Sequence, residues 1–130
     1  MTHSLEVYNN SELIFSSDQH WLHPLFELEE FLTQNQYTAG NLLIKDKIIG
    51  RAAALLLVRL KVGEIIALTL SQPAEEVLQY YNITYSCEKK IERVECATEN
   101  ILLNELDPEK AYQFIRSRIE SKTTSPVEKS

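Results

Sequence analysis

The stretch Lys45-Asp46-Lys47-Ile48-Ile49-Gly50-Arg51-Ala52-Ala53-Ala54-Leu55-Leu56-Leu57-Val58 decides the fold. From Ile48 to Val58 only Gly50 and Arg51 interrupt the apolar residues. Alanine and leucine favour helix, and a helix that is apolar on nearly every side has to be covered on nearly every side. The run is too short, and too closely flanked by charge, to cross a bilayer. It therefore predicts a buried central helix, with Asp46 either as its N-cap or as a carboxylate in a pocket at its charged end.

Length and composition indicate a single globular domain. The chain has 130 residues, of which 44% are hydrophobic and 25% charged, an ordinary balance for a packed core. The formal net charge of -6 argues against a nucleic-acid polymer as partner, because such binding depends on Lys and Arg meeting phosphates. The N-terminal residues form no signal peptide, so a cytoplasmic location is expected. We predict one domain over residues 1–120 and a disordered polar tail over residues 121–130.

Apolar runs and turn residues predict an alternation of strands and helices. Residues 42–44 fit either a short strand or the extended lead-in to the central helix. Strand, central helix, strand, helix, strand is the α/β order, for which right-handed crossovers are expected. Strands are predicted at residues 5–8, 13–16, 64–70 and 83–87, and helices at residues 24–32, from Asp46 to about Lys61, from Pro73 onward, and from Pro108 to about Glu120.

Three segments resemble a small bacterial family of unknown function that is regarded as having a cytidine-deaminase-like fold. They are residues 46–56, residues 70–74 (Leu-Ser-Gln-Pro-Ala) and residues 96–99 (Cys-Ala-Thr-Glu), and the likeness extends roughly over residues 5–103. The resemblance implies a three-layer α/β/α domain. In that fold an N-terminal β-hairpin and the later parallel strands form one mixed sheet.

The residues that hold zinc in working deaminases are missing from this sequence. Those enzymes carry His-x-Glu at one helix start and Pro-Cys-x-x-Cys at another. Here Pro73 is followed by Ala74 and Val77 at the two ligand positions, and Gly50 and Arg51 open the central helix with neither His nor Glu. Neither alanine nor valine can bind a metal. The resemblance therefore implies a deaminase-like domain without deaminase activity, and we predict no metal and no cofactor.

Two helix starts at the carboxyl edge of the sheet would still point unpaired N–H groups at one pocket. That arrangement suits an anion such as a phosphate. The predicted ligand is a nucleotide-like or other small anionic metabolite, with no membrane partner and with self-association into a homo-oligomer left open. Lys47 and Arg51 are equally readable as solvated charges, and Ser71 as a turn residue. The predicted ligand-binding residues are Lys47, Gly50, Arg51, Ser71 and Ala74.

An enzyme is the second hypothesis, with Asp46, Cys96 and Glu99 lining the same cleft. Cys96 and Glu99 stand at positions i and i+3, which share a face if that segment is helical. A thiolate nucleophile needs a lowered pKa, and no histidine is adjacent in sequence to supply it, so a small half-buried residue is the commoner role for Cys96. The third hypothesis is a protein-interaction domain that uses the region of Trp21 or a sheet edge. Residues 20–23 (His-Trp-Leu-His) are favoured as a loop with an aromatic anchor over a metal site.

Overall fold

A computed structural model describes residues 2–129, and gives side-chain surroundings as far as residue 120. The backbone forms five strands, five α-helices and one 3-10 turn. The strands are β1 Leu5–Asn9, β2 Glu12–Ser17, β3 Leu42–Ile49, β4 Glu64–Ser71 and β5 Thr84–Ile91. The helices are α1 His23–Gln34, α2 Arg51–Leu60, α3 Gln72–Tyr80, α4 Ala97–Ile101 and α5 Pro108–Lys129, and the 3-10 turn is Ala39–Asn41.

The strands form one mixed sheet in the order β2-β1-β3-β4-β5. Strand β1 is antiparallel to β2 and to β3, whereas β3, β4 and β5 run parallel to one another. The hairpin between β1 and β2 turns through Asn10 and Ser11, whose φ angles of 51° and 70° are left-handed, as tight hairpin turns require. The predicted α/β class and the mixed sheet with an N-terminal hairpin are therefore confirmed, and the three-layer arrangement stays a prediction.

The start of the central helix differs from the prediction. Residues as far as Ile49 belong to β3, and α2 begins at Arg51 with Gly50 in the N-cap position. Asp46 lies inside the strand, paired with Leu5 on β1 and Ala67 on β4. The prediction of Asp46 as a helix N-cap is therefore wrong. Isoleucines favour strands, and pairing on both sides of β3 outweighs the helix propensity of the residues that follow.

Helix α2 is the buried centre that the alanine and leucine run predicts. Every residue from Arg51 to Val58 is buried, and α2 contacts β3 and all four other α-helices. The helix ends in a left-handed residue, Lys61, with a φ of 63°. Gly63 follows the helix at a point of close approach, because a Cβ at this position would lie 2.1 Å from the carbonyl oxygen of Gly40.

Helix α5 begins as predicted and ends later. The Asp107 carboxylate accepts a hydrogen bond from the Glu109 amide at 2.9 Å, which is the expected capping contact. The helical backbone continues to Lys129, past the predicted end near Glu120 and through most of the segment for which the sequence predicts disorder. The disorder of residues 121–130 stays a prediction. Ser130 lies outside the described residues. Within residues 2–129 no helix has the length and apolar character to cross a membrane.

Candidate functional site

A cavity of about 300 Å³ opens beside the carboxyl-terminal half of β3. Its size is at the lower end for sites that bind small molecules. Five parts of the chain surround it: the residue before β1, the loop before α1 with the start of that helix, the end of β3, the start of α2, and the segment that leads into α4 with the start of that helix. The apolar part of the wall comes from Trp21, Leu22, Pro24, Ile48, Ala52, Ala53 and Val94, and the polar part from Ser4, Gln19, His20, Asp46, Lys47, Gly50, Arg51, Cys96, Thr98 and Glu99.

Six of the eight predicted site residues line this cavity: Asp46, Lys47, Gly50, Arg51, Cys96 and Glu99. The other two, Ser71 and Ala74, are completely buried elsewhere. The Ser71 hydroxyl accepts a hydrogen bond from the Ala74 amide at 3.2 Å and caps α3. Of the two roles open to Ser71 from the sequence, the structure therefore shows the turn-forming one.

The helix starts that border the cavity are those of α1, α2 and α4, and the start of α3 takes no part. Helices α2 and α3 do begin side by side, because Ile49 at the end of β3 pairs with Leu70 at the end of β4. The space between them is filled by a side chain, since Arg51 Nη1 donates to the Pro73 carbonyl at 2.9 Å. The predicted hollow shared by α2 and α3 is therefore closed, and Pro24 of α1 borders the cavity instead.

The carboxylate of Glu99 occupies the N-terminus of α2. Its Oε1 accepts the Arg51 amide at 2.5 Å, its Oε2 accepts the Val94 amide at 2.8 Å, and the residue is only 1% exposed. A negative group is favourable there because the helix dipole and the unpaired amides are positive. This is the position at which the sequence predicts a ligand anion. Gly50 makes the contact possible, because a Cβ on that residue would lie 3.2 Å from Glu99 Oε1.

Arg51 is buried and its guanidinium is bound within the protein. Nε and Nη2 donate to the Glu105 carbonyl at 3.0 and 2.6 Å, and Nη1 also contacts the Glu76 carboxylate at 3.1 Å. Together with the bond to the Pro73 carbonyl, these contacts use most of the donors that a guanidinium has. Arg51 thereby ties α2 to α3 and to the segment before α5. It has little capacity left for the phosphate that the sequence predicts.

Asp46 is the titratable side chain of the cavity wall whose pKa is shifted far from its ordinary value. Burial among protein atoms raises its pKa to about 7, although hydrogen bonds from the Ile48 and Lys47 amides act in the opposite direction. The side chain is half-buried, because one side faces the cavity. At neutral pH the Asp46 population is therefore divided between the carboxylate and the neutral acid, so this group can exchange a proton with a ligand.

The remaining predicted candidates take defined places. Cys96 is half-buried at the cap of α4, with its Sγ 3.0 Å from the Thr98 hydroxyl. His20 lines the cavity and His23 begins α1. Among residues 2–129 no three His, Cys, Asp or Glu side chains are arranged to hold a metal ion.

Several cavity residues are absent from the predicted site. Trp21 is recognisable from the sequence only as a loop anchor, and it lines the cavity with a left-handed φ of 59° and an exposure of 37%. Val94 carries no sequence signal, because it is an ordinary residue in a charged, irregular segment. Thr98 belongs to the segment 96–99 that carries the family resemblance, but nothing in that segment marks it as a cavity residue. An aromatic residue beside a proline that opens a helix was the one usable signal for the α1 side of the cavity.

Comparison with known proteins places the chain in a family. A family model described as TM1506, a domain of unknown function (DUF1893), matches residues 2–119. The chain belongs to this family. It is also similar to the crystal structure of a DUF1893 family protein (TM1506) from Thermotoga maritima, with 30% sequence identity and a TM-score of 0.78. That match covers 88% of this chain and 80% of the other. No curated protein matches the chain.

Membership of a family of unknown function agrees with the resemblance drawn from residues 46–56, 70–74 and 96–99. Neither the family description nor the Thermotoga structure's description mentions a cytidine-deaminase-like fold, a ligand or an activity. The deaminase-like fold therefore stays a prediction.

Proposed function

We propose that this domain binds a small, planar metabolite of about nucleoside size in the cavity beside β3. The observation that carries the proposal is a cavity of about 300 Å³ whose wall is largely apolar and whose polar side includes the Asp46 carboxyl. Binding sites for small molecules combine these two features: apolar walls supply most of the affinity, and a few polar groups fix the orientation. A deaminase-like domain that lacks the zinc-binding residues can retain the binding of a ligand without catalysing deamination.

The apolar wall favours a flat ligand. Its apolar side chains include Trp21, Pro24, Ile48 and Val94, and an aromatic ring among aliphatic side chains suits a flat apolar ligand. Ile48 is 56% exposed and Trp21 is 37% exposed, so both would lose water-accessible apolar surface when a ligand enters. Burying apolar surface contributes about 25 cal/mol per Å², which makes these two residues the expected source of affinity.

The ligand's phosphate, if it has one, is not expected at the start of α2. Glu99 already accepts the Arg51 amide there, so an anion would have to displace a buried carboxylate. Lys47 is exposed, and it is the cationic residue of the cavity wall that remains available to a phosphate. A nucleotide that bound through its phosphate would therefore depend on Lys47, and a nucleoside would not.

Trp21 provides a direct assay because it is the single tryptophan of the chain. We expect nucleosides or nucleobases from a broad panel to change its fluorescence and to raise the melting temperature. Ile48→Tyr, which adds a ring to the wall, should weaken binding, whereas Leu13→Tyr changes an exposed apolar residue on β2 outside the cavity and should not. Equal loss of binding in the two variants, or no response to any compound of the panel, would contradict the proposal.

An enzyme is the second candidate, and the raised pKa of Asp46 favours it. A carboxyl group with a pKa of about 7 is suited to general acid–base catalysis at neutral pH. In this candidate Asp46 moves the proton, Glu99 positions the α2 start, and Cys96 lies at the cavity wall. Iodoacetamide labelling tests the nucleophile: Cys96 should react faster than Cys87, which is also half-buried and lies on β5. Equal, slow labelling would leave Cys96 without a catalytic role.

A further inference from the structure

We propose that the cavity selects a planar ligand with a protonated nitrogen edge, such as an amidinium, and that the Asp46 carboxylate binds this edge. The inference rests on the proposed function and adds the charge of the ligand to it. It follows from an accounting of every charged or titratable side chain that borders the cavity, which are His20, Asp46, Lys47, Arg51, Cys96 and Glu99.

The donors that an anion would need are already used. The Arg51 amide at the α2 start and the Val94 amide both donate to Glu99. Backbone N–H groups at a helix start are the usual anion site, and here a carboxylate of the chain itself satisfies them. An incoming anion would meet Glu99 and the ionised form of Asp46, and like charges at close range repel each other.

The nearby cations do not neutralise Asp46. The Arg51 guanidinium faces Glu76 and the carbonyls of Pro73 and Glu105. Lys47 lines the same cavity but is exposed, and it forms no ion pair with Asp46. Neither carboxyl group of the cavity wall has a cation among the ion pairs that the described residues form; Glu99 accepts two backbone amides instead, which leaves Asp46 as the carboxyl group available to a cationic ligand.

The geometry of the wall suits a cationic ring. The Asp46 carboxyl can accept two parallel N–H···O bonds from an amidinium, which is the paired geometry that carboxylates form with guanidinium groups. Trp21 at the same cavity offers an aromatic face, and a cation near such a face gains about 0.5–2 kcal/mol. An uncharged ligand of the same shape would keep the apolar contacts and lose both of these interactions.

Three planar probes of nearly equal size separate the possibilities. Benzamidine carries a positive charge, benzamide is neutral and benzoate is negative. Isothermal calorimetry and Trp21 fluorescence at about pH 8 should give benzamidine an affinity at least about tenfold above that of benzamide, the equivalent of one charge-assisted hydrogen bond. Benzoate should show no binding. Asp46→Asn should lower the affinity for benzamidine to that for benzamide. Glu88→Gln, which removes an exposed carboxylate on β5, should leave the preference for benzamidine over benzamide unchanged.

The pH dependence supplies an independent check. Benzamidine keeps its charge over the whole range, so its affinity should be constant above about pH 7, fall below that pH as Asp46 is protonated, and level off at about the affinity of benzamide. Benzamide should show no such slope. Equal affinities for benzamidine and benzamide would overturn the inference while leaving the proposed binding function in place, and a preference for benzoate would overturn it in favour of an anionic ligand. If none of the three probes binds while nucleosides do, the inference fails alone; if nucleosides also fail, the proposed function fails with it.

Discussion

Replacing Asp46 by asparagine should stabilise the folded protein at neutral and alkaline pH. The pKa of Asp46 is raised from 3.8 to about 7 by burial, so between these pH values the folded state binds a proton that the unfolded state has released. The free energy of unfolding therefore falls as the pH rises from about 4 to about 7 and is constant above that range. Asparagine resembles the neutral acid in shape and carries no charge at any pH, so the free energy of unfolding of the variant does not show this fall.

The size of the effect follows from the shift. One pKa unit corresponds to about 1.4 kcal/mol, so a shift from 3.8 to about 7 sets an upper limit of about 4 kcal/mol. Because Asp46 is only half-buried and solvent screens part of the effect, we expect roughly 2–4 kcal/mol above about pH 8. For a domain of this length that is a rise in melting temperature of about 10 °C.

Urea unfolding of the wild type and Asp46→Asn at several pH values between about 5 and 9 measures this directly. The difference in unfolding free energy should be small near pH 5, grow through about pH 7 and then level off. Glu6 and Glu75, whose pKa values are lowered by hydrogen bonds and charged partners despite the opposing effect of burial, lose their stabilising effect only at lower pH and do so equally in both proteins. Curves that run parallel for the two proteins would refute the assignment of the buried proton to Asp46. Glu88→Gln controls for the loss of one negative charge.

Five further substitutions test the packing around the site. Gly63→Ala places a Cβ 2.1 Å from the Gly40 carbonyl oxygen and should lower the free energy of unfolding in urea by on the order of 3–5 kcal/mol. Gly40→Ala is the control: its Cβ has open space around it, so the free energy of unfolding should change by less than about 0.5 kcal/mol. Gly50→Ala brings a Cβ to 3.2 Å from Glu99 Oε1 and should cost about 1–2 kcal/mol; an unchanged midpoint would mean that the Glu99 contact yields freely. Arg51→Met leaves the buried Pro73 carbonyl, the half-buried Glu105 carbonyl and the Glu76 carboxylate without their donor and should cost about 3 kcal/mol, with Arg51→Lys intermediate.

The fold was predictable wherever a local pattern decides the structure. The apolar run of β4, the Pro73 helix start and the Asp107 cap are local signals, and each gives its element in the structure. The segment around Asp46 is different, because its conformation depends on pairing with Leu5 on β1, far away in sequence. A single sequence contains no record of that pairing, and the strong helix formers after Gly50 extend the helical signal too far toward the N-terminus.

Six of the predicted residues line the cavity, but Ser71 and Ala74 do not, and the arrangement of the wall was not predictable. Gly50 and Arg51 are identifiable as candidates from their positions near a helix start, and Glu99 from its place three residues after Cys96. That Glu99 would neutralise the α2 start depends on a contact across 48 positions of sequence. The resemblance to zinc deaminases directs attention to the starts of α2 and α3, whereas the cavity lies at the starts of α1, α2 and α4.

The two roles assigned to Asp46 can be tested against each other with one variant. A buried carboxyl group that lowers stability by several kcal/mol is a cost for folding, and proteins commonly carry such costs at binding and catalytic sites. If Asp46 serves the ligand, Asp46→Asn must raise the melting temperature of the free protein and at the same time lower the affinity for benzamidine. A variant that gains stability and keeps its affinity for benzamidine would show that the Asp46 carboxyl group destabilises the folded protein without binding the ligand. A variant that loses both would show that Asp46 is charged and compensated in the folded state, contrary to its raised pKa. Only a rise in melting temperature together with a fall in the affinity for benzamidine supports a ligand-binding role for the Asp46 carboxylate.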